Sequence, residues 1–410
     1  MATRSLQDKL AILSDAAKYD ASCASSGGER RSSADGKGLG SSGESGICHA
    51  YAPDGRCISL LKILMTNFCI YDCAYCINRA SSRVERARFS VEEVVTLTIE
   101  FYRRNYIEGL FLSSGIIRSP DDTMADMVRI ARTLRERENF RGYIHLKTIP
   151  DAAPELIDEA GRFADRLSIN VELPTERALT DLAPEKSART IRKAMAEVRM
   201  RRDASRERSH TGKRAARFAP AGQSTQMIVG ADAASDATIL GNAAGLYAGY
   251  NLGRVYYSAF SPIPEASSVL PARRPPLMRE HRLYQADWLM RFYDFAPSEI
   301  TAGPSGMLDL DIDPKMAWAL ANRGQFPVDP NRASREMLLR VPGFGTKTVQ
   351  RILAARRHRA LRYEDLVAMG AVMKHARAFI AMTGWSPRGL LEGENLRARF
   401  APPPEQLQLI

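Results

Sequence analysis

Three cysteines, Cys69, Cys73 and Cys76, fall in the stretch CIYDCAYC of a 410-residue chain with six cysteines in all. Thiols so closely spaced are metal ligands or redox groups, and the spacing Cys-x3-Cys-x2-Cys bears on which. A structural zinc normally takes four protein ligands in paired Cys-x2-4-Cys groups, and no second pair is present. A cubane iron–sulfur cluster held by three thiolates keeps one iron without a protein ligand, and an open iron is a reaction site. A structural zinc and chance spacing are the alternatives. Cys23, Cys48 and Cys57 also precede residue 77, and no cysteine follows Cys76. Their clustering fits a second iron–sulfur cluster completed by His49 or substrate, or a hydrogen-atom donor or redox thiol at Cys57 or Cys48. The plain alternative is a set of free thiols.

Such ligands need elements that gather them at one end of a sheet. From Ile58 onward, short runs rich in Val, Ile, Leu, Phe and Tyr alternate with longer stretches of period near 3.6. Strands are expected over 58–65, 109–115, 143–150, 166–173, 224–230 and 254–261, with helices over 91–105, 122–137, 153–163, 188–199 and 236–247. Strands separated by crossover helices pair in parallel, so these units predict an α/β fold with a curved sheet or partial (β/α)6 barrel. In such folds the chemistry sits at the carboxyl ends of the strands, and Cys69 lies just past the first of them.

Upstream, Leu6, Leu10, Leu13 and Ala17 predict an amphipathic helix over 5–18, and the Ser- and Gly-rich stretch 22–46 reads as a linker. After residue 261 Pro-rich connections and the helical pattern REHRLYQADWLMRFY mark a boundary. The expected organisation is an extension over 1–57, a core over 58–265, a helical connector over 266–308, a helical domain over 309–384 and a tail over 385–410. The Met-Ala-Thr-Arg start lacks the apolar stretch of a signal peptide and the apolar runs are short, so a cytoplasmic location is expected. The net charge of +11 points to a polyanionic partner, most of all at the runs RMRRDASRERSHTGKRAAR (199–217) and RILAARRHRALR. A solvated basic face is the plain reading of either run.

Cys-x3-Cys-x-aromatic-Cys after the first strand of a six-fold βα array resembles the radical S-adenosylmethionine (SAM) superfamily. The resemblance implies a [4Fe–4S] cluster on Cys69, Cys73 and Cys76, with SAM chelated at the open iron and Tyr75 beside the adenine. One electron would then cleave SAM to methionine and a 5′-deoxyadenosyl radical that abstracts a substrate hydrogen. The second strand ends in Ser113, Ser114 and Gly115, where the superfamily commonly has a Gly-Gly-Glu-like turn for the SAM amino group. Backbone carbonyls and serine hydroxyls would replace the missing carboxylate. Ser168, Asn170 and Glu172 alternate on one face of the fourth strand and suit the ribose and sulfonium, or else line a wet barrel interior. Lys147 points to the same mouth, where a buried lysine is costly without an anionic partner. The fifth strand resembles the superfamily's adenine-side region, with Gln226 toward the cofactor.

In VPGFGTKTVQRILAAR a tight turn at Gly343 and Gly345 joins two helices, with Lys347 and Thr348 opening the second. Glycines let the backbone approach a phosphate, and the free amides of a helix N-terminus attract it. The stretch resembles the helix-hairpin-helix motif of DNA repair proteins, and DLVAMGAVMKHARAFI resembles a degenerate partner with Gly370 at its turn and Lys374 following. A structural or protein-docking use of the same fold is the alternative. A radical SAM core with this C-terminal module, together with KYDASCASSG, GICHAYAPDGRCISLLK and REHRLYQADWLMRFY, resembles the DNA modification/repair radical SAM family over nearly the whole chain. The resemblance implies base or sugar modification in DNA, an electron donor such as a flavodoxin or ferredoxin, and a uracil-DNA-glycosylase-like partner. Radical chemistry on RNA or on a nucleic-acid-associated protein, and a DNA-binding protein with a structural or redox-sensing cluster, are the competing readings.

Overall fold

A computed structural model describes residues 4–17, 47–51, 57–207, 217–387, 389–391 and 393–401, the side chains of 49–51 and 394 excepted. Cys23, the stretch 22–46 and part of the basic run 199–217 lie outside the described residues. The chain divides into two compact units, one of residues 1–234 and 245–275, the other of 235–244 and 276–410. The second therefore includes most of the expected connector.

The elements are α1 (Leu6–Ala16), β1 (Ile47–Tyr51), β2 (Cys57–Leu64), α2 (Val91–Arg103), β3 (Gly109–Ser113), α3 (Pro120–Glu136), β4 (Tyr143–Lys147), α4 (Pro154–Phe163) and β5 (Arg166–Ser168). They continue with α5 (Glu176–Leu182), α6 (Ala188–Arg206), β6 (Gly222–Val229), α7 (Asp236–Tyr250) and β7 (Arg254–Ala259). Among the described residues the strands form one seven-stranded sheet in chain order, curled into a half-barrel, with β2 to β7 all parallel. β1, which the sequence pattern left in the extension, pairs antiparallel with β2 and adds a strand to the expected six.

Alternation along the strands separates two faces. Leu61, Ile63, Leu110, Leu112, Ile144, Leu146 and Leu167 are buried and apolar. They share a core with helix residues such as Val94, Met127, Ala131, Leu134 and Ala160, as parallel sheets require. The helices begin where the local chemistry favours it. Ser90 and Glu93 form a reciprocal capping box at α2, and Ser119 caps α3 with Pro120 in its first turn.

The second unit holds α8 (Leu277–Phe292), α9 (Pro297–Ile300), α10 (Pro314–Ala321), α11 (Arg335–Arg340), α12 (Thr346–Ala355), α13 (Tyr363–Ala368) and α14 (Met373–Ala376). Its core packs Trp318, Phe326, Phe344 and Phe379 among Leu338, Leu339, Val349, Ile352 and Leu366. Two tight turns, between α11 and α12 and between α13 and α14, each use a glycine in the left-handed region, Gly343 at φ 84° and Gly370 at φ 86°. The turns join directly, because the Val372 amide donates to the Gly343 carbonyl at 2.9 Å. A Cβ at Gly343 would lie 2.4 Å from the Val372 carbonyl oxygen, so only glycine fits.

Candidate active site

The loop from Asn67 to Ser82 follows β2 and carries the three clustered thiols. Arg86 organises it, donating to the carbonyls of Asn67, Asn78, Arg79 and Ser82. A single guanidinium thus satisfies four carbonyls that have no strand or helix to bond. The Ile70 amide bonds the Ile116 carbonyl at 2.8 Å, and the Ala74 amide bonds the Leu182 carbonyl at 2.7 Å. Gly115 makes room for the loop: a Cβ there would sit 2.2 Å from the Phe68 carbonyl oxygen. The glycine of the SSG turn therefore has a packing role that its sequence context did not reveal.

Cys69, Cys73 and Cys76 line one cavity with Tyr75, Ser114, Gly115, Lys147, Asn170, Glu172 and Gln226. Nearly every residue expected around a cofactor is thereby brought together. Two are not. Ser113 and Ser168 are buried in the sheet and do not line the cavity. The expected strand alternation also stops early, because β5 ends at Ser168 and Glu172 adopts φ 65°. That left-handed residue bridges to Met227, its amide donating to the Gln226 carbonyl at 3.1 Å, and turns its carboxylate to the cavity. The Asn170 side-chain amide donates to the Gln226 side-chain carbonyl at 3.3 Å.

The residue that sequence reasoning missed is Lys186, in the loop between α5 and α6. Its ammonium donates to Glu172 at 2.6 Å and lies 3.5 Å from the Tyr75 hydroxyl. Burial by itself would lower this lysine, but the Glu172 charge, then Tyr75, Cys73 and the Glu172 hydrogen bond reverse the effect and hold it well above its ordinary value. Beside the pair, Asp151 accepts from the Thr190 hydroxyl at 2.6 Å and from Tyr71 at 3.3 Å. Burial, then the Asp151 charge and hydrogen bond, push the Tyr71 hydroxyl up to about 12.

The thiols fit an iron–sulfur cluster. Burial pushes Cys73 up to about 12 and raises Cys76, so as thiolates they need positive charge at their sulfurs, which iron supplies. Among the described residues no three His, Cys, Asp or Glu side chains converge to hold a single metal ion. Three thiols that share one cavity suit a cubane, where each thiolate takes a different iron.

The other two described cysteines do not cooperate. Cys48 lies opposite Leu60 and packs among Ile58, Leu60 and Phe111, whereas Cys57 is exposed. Paired residues share a face and Cys57 is three places from Leu60, so the two thiols point to opposite faces of the sheet. They cannot ligate one second cluster in this arrangement, and neither lines the cavity as a hydrogen-atom donor would. Cys23 lies outside the described residues, as does the side chain of His49.

In the second unit Gly345 is the N-cap of α12 without a side-chain cap, and Lys347 and Lys374 are exposed just past the two turns. Thr348 is different: it is buried, and its hydroxyl donates to the Met369 and Gly370 carbonyls at 3.3 Å, tying α12 to the second turn. No described helix is long and apolar enough to cross a membrane.

Residues 63–203 match the family model described as Radical SAM superfamily. No curated protein matches the chain. Among solved structures, methylornithine synthase (PylB) aligns at 16% identity and a TM-score of 0.41, over 54% of this chain and 60% of that one. The FeFe-hydrogenase maturase HydG from Carboxydothermus hydrogenoformans aligns at 14% identity and 0.40, over 54% and 48%. Coproporphyrinogen III oxidase (HemN) from Escherichia coli aligns at 14% identity and 0.34, over 54% and 50%. The chain thus spans less than two thirds of each of these proteins, and scores of this size carry no argument. The family match does: residues 63–203 hold a radical SAM superfamily domain, and the thiol-lined cavity lies at the ends of its strands.

Proposed function

We propose that this protein reductively cleaves SAM at a [4Fe–4S] cluster held by Cys69, Cys73 and Cys76 and directs the resulting chemistry at a base or sugar in DNA. The observation that carries the first half is the cavity, in which three thiols share the lining with an ion pair between the half-buried Lys186 and the buried Glu172. The bound cluster would supply the electron that splits SAM into methionine and a 5′-deoxyadenosyl radical. Lys186 offers a cation to the carboxylate of an amino acid, and Glu172 offers an acceptor to its ammonium. The pair thereby supplies a carboxylate that the SSG turn lacks. The Ser114 hydroxyl and the turn carbonyls assist, Asn170 and Gln226 present amides to ribose hydroxyls, and the Tyr75 ring lies toward adenine.

Support for DNA comes from the second unit. Paired turns with left-handed glycines, an uncapped α12 N-terminus and exposed Lys347 and Lys374 suit a helix-hairpin-helix grip on backbone phosphates. Thr348, engaged with the second turn, supports that grip and does not touch phosphate. A base target would be extruded or single-stranded. This reading requires a low-potential donor such as a flavodoxin or ferredoxin, and a uracil-DNA-glycosylase-like protein as partner follows from the family resemblance.

The test is 5′-deoxyadenosine formation by anaerobically reconstituted protein with SAM and a strong reductant, with and without duplex or single-stranded DNA. Wild type forms it and Cys73→Ala, which cannot assemble the cluster, does not. Lys347→Glu weakens DNA binding about tenfold and leaves cleavage without DNA unchanged. No product from a spectroscopically intact cluster would overturn the first half. Equal DNA binding by wild type and Lys347→Glu would overturn the second.

A further inference from the structure

Below the cysteine-lined cavity, the inner face of the half-barrel is basic. Lys62, Phe111, His145 and Arg166 form one row across β2, β3, β4 and β5, and Lys147, Ser168, Ser224 and Arg254 form the next across β4, β5, β6 and β7. Lys147 lines the cavity, so by the two-residue period both rows face the lumen. No position in either row carries a carboxylate. Barrel interiors are commonly filled by branched apolar side chains, and here Lys62 lies 5.9 Å from the Phe111 ring and the His145 ring 4.3 Å from it.

Arg166 is 8% exposed; it donates to the Tyr256 hydroxyl at 3.4 Å, and its Nε finds no partner among the described residues. Ser224, 0% exposed, and Ser113, 1% exposed, have hydroxyls in the same condition. A guanidinium cannot shed its proton, so a buried donor on it is left to find an acceptor. Arg166 and Ser224 lie on adjacent strands, and an oxyanion between them meets the need of the arginine and of the Ser224 hydroxyl.

We propose that the lower lumen is a second binding site, specific for an oxyanion of the phosphate or carboxylate class. Arg166 anchors it and Ser224 donates a second hydrogen bond. The anion belongs to the molecule on which the enzyme acts, seated with its reacting end toward the thiols. That last assignment rests on the radical reading above, whereas the anion site does not.

The experiment titrates orthophosphate and, separately, acetate into the reconstituted full chain at constant ionic strength, without SAM or reductant, and soaks crystals with tungstate. One saturable site is expected. Binding weakens about tenfold in Arg166→Gln and about threefold in Ser224→Ala. The stronger of the two anions identifies the class, and tungstate lies within reach of Arg166. Absence of saturable binding, or binding that neither lumen variant alters, overturns the proposal. If Arg166→Gln does not fold, the Ser224→Ala titration and the tungstate position decide, and tungstate only at the second unit's turns is a negative result. A protein that binds phosphate here yet forms no deoxyadenosine would refute the radical reading and leave this site standing.

Discussion

Lys186 in the first unit is half-buried and Lys315 in the second is buried, and their ammonium groups move in opposite directions. Both are opposed by burial. Lys186 has the Glu172 carboxylate at 2.6 Å and is held well above its ordinary value. Lys315 donates to the Phe344 carbonyl at 2.6 Å and lies 4.7 Å from the Tyr293 ring, and burial, only partly offset by the Asp313 charge, lowers it to about 7. A full counter-charge decides the sign where a carbonyl dipole and a ring face do not. The first lysine is a standing cation in the cysteine-lined cavity. The second is a strut under the Val341–Gly345 turn, its ammonium lowered to about 7 by burial.

The largest consequence is for Lys186→Met, which leaves the Glu172 carboxylate buried without its cation. A loss of about 3 kcal/mol is expected in urea unfolding followed by circular dichroism, with part of it recovered on adding Glu172→Gln. A loss that the second substitution does not relieve would mean that the pair is not the source of the effect.

Next comes the pH dependence of the second unit, which holds Trp288, Trp318 and Trp385, all three tryptophans of the chain, so their emission reports its unfolding. The folded value of Lys315 is about 7 against 10.5 for an ordinary lysine, so between those values the unfolded chain binds more protons. Stability should therefore rise with pH above about 7, by at most about 1.4 kcal/mol per unit, and the rise should vanish in Lys315→Met. An unchanged slope in the variant would contradict the assignment.

Glu172→Gln on the iron-free chain should convert the first lysine into the second kind. Lys186 should then titrate below its ordinary value in lysine-selective NMR, and a value still above it would show that Tyr75 or Cys73 supplies the counter-charge. The smallest effect is for Lys315→Met at pH 9, where the amine is already neutral. It should cost about 1 kcal/mol, the worth of one hydrogen bond to the Phe344 carbonyl.

Much of the first unit was readable from local pattern. Runs such as GLFLSSG and YIHLKTIP mark β3 and β4 because parallel strands buried on both faces are short and apolar, and SVEE and SPDD mark helix starts through their caps. The thiol spacing exposed the metal chemistry, since three ligands within one short loop need no distant partner. β1 escaped because ICHAY is too brief and too mixed to stand out beside a Ser/Gly-rich stretch. Glu172 was assigned to the site for the wrong local reason: strand alternation ends at Ser168, and a left-handed residue does the aiming. Thr348 looked like a phosphate ligand because only the fold brings Gly370 beneath its hydroxyl.

The local sequence determined the elements, the cysteine loop and the glycine turns, because caps, periodicities and ligand spacing act over a few residues and need no partner far along the chain. Tertiary structure alone decided which charges meet. Lys186 reaches Glu172 across α5, Arg166 shares the lumen with Ser224 through sheet register, and Lys315 comes to rest beneath the Phe344 carbonyl. Electrostatic interactions act through space and depend on burial, so no spacing in the chain announces them.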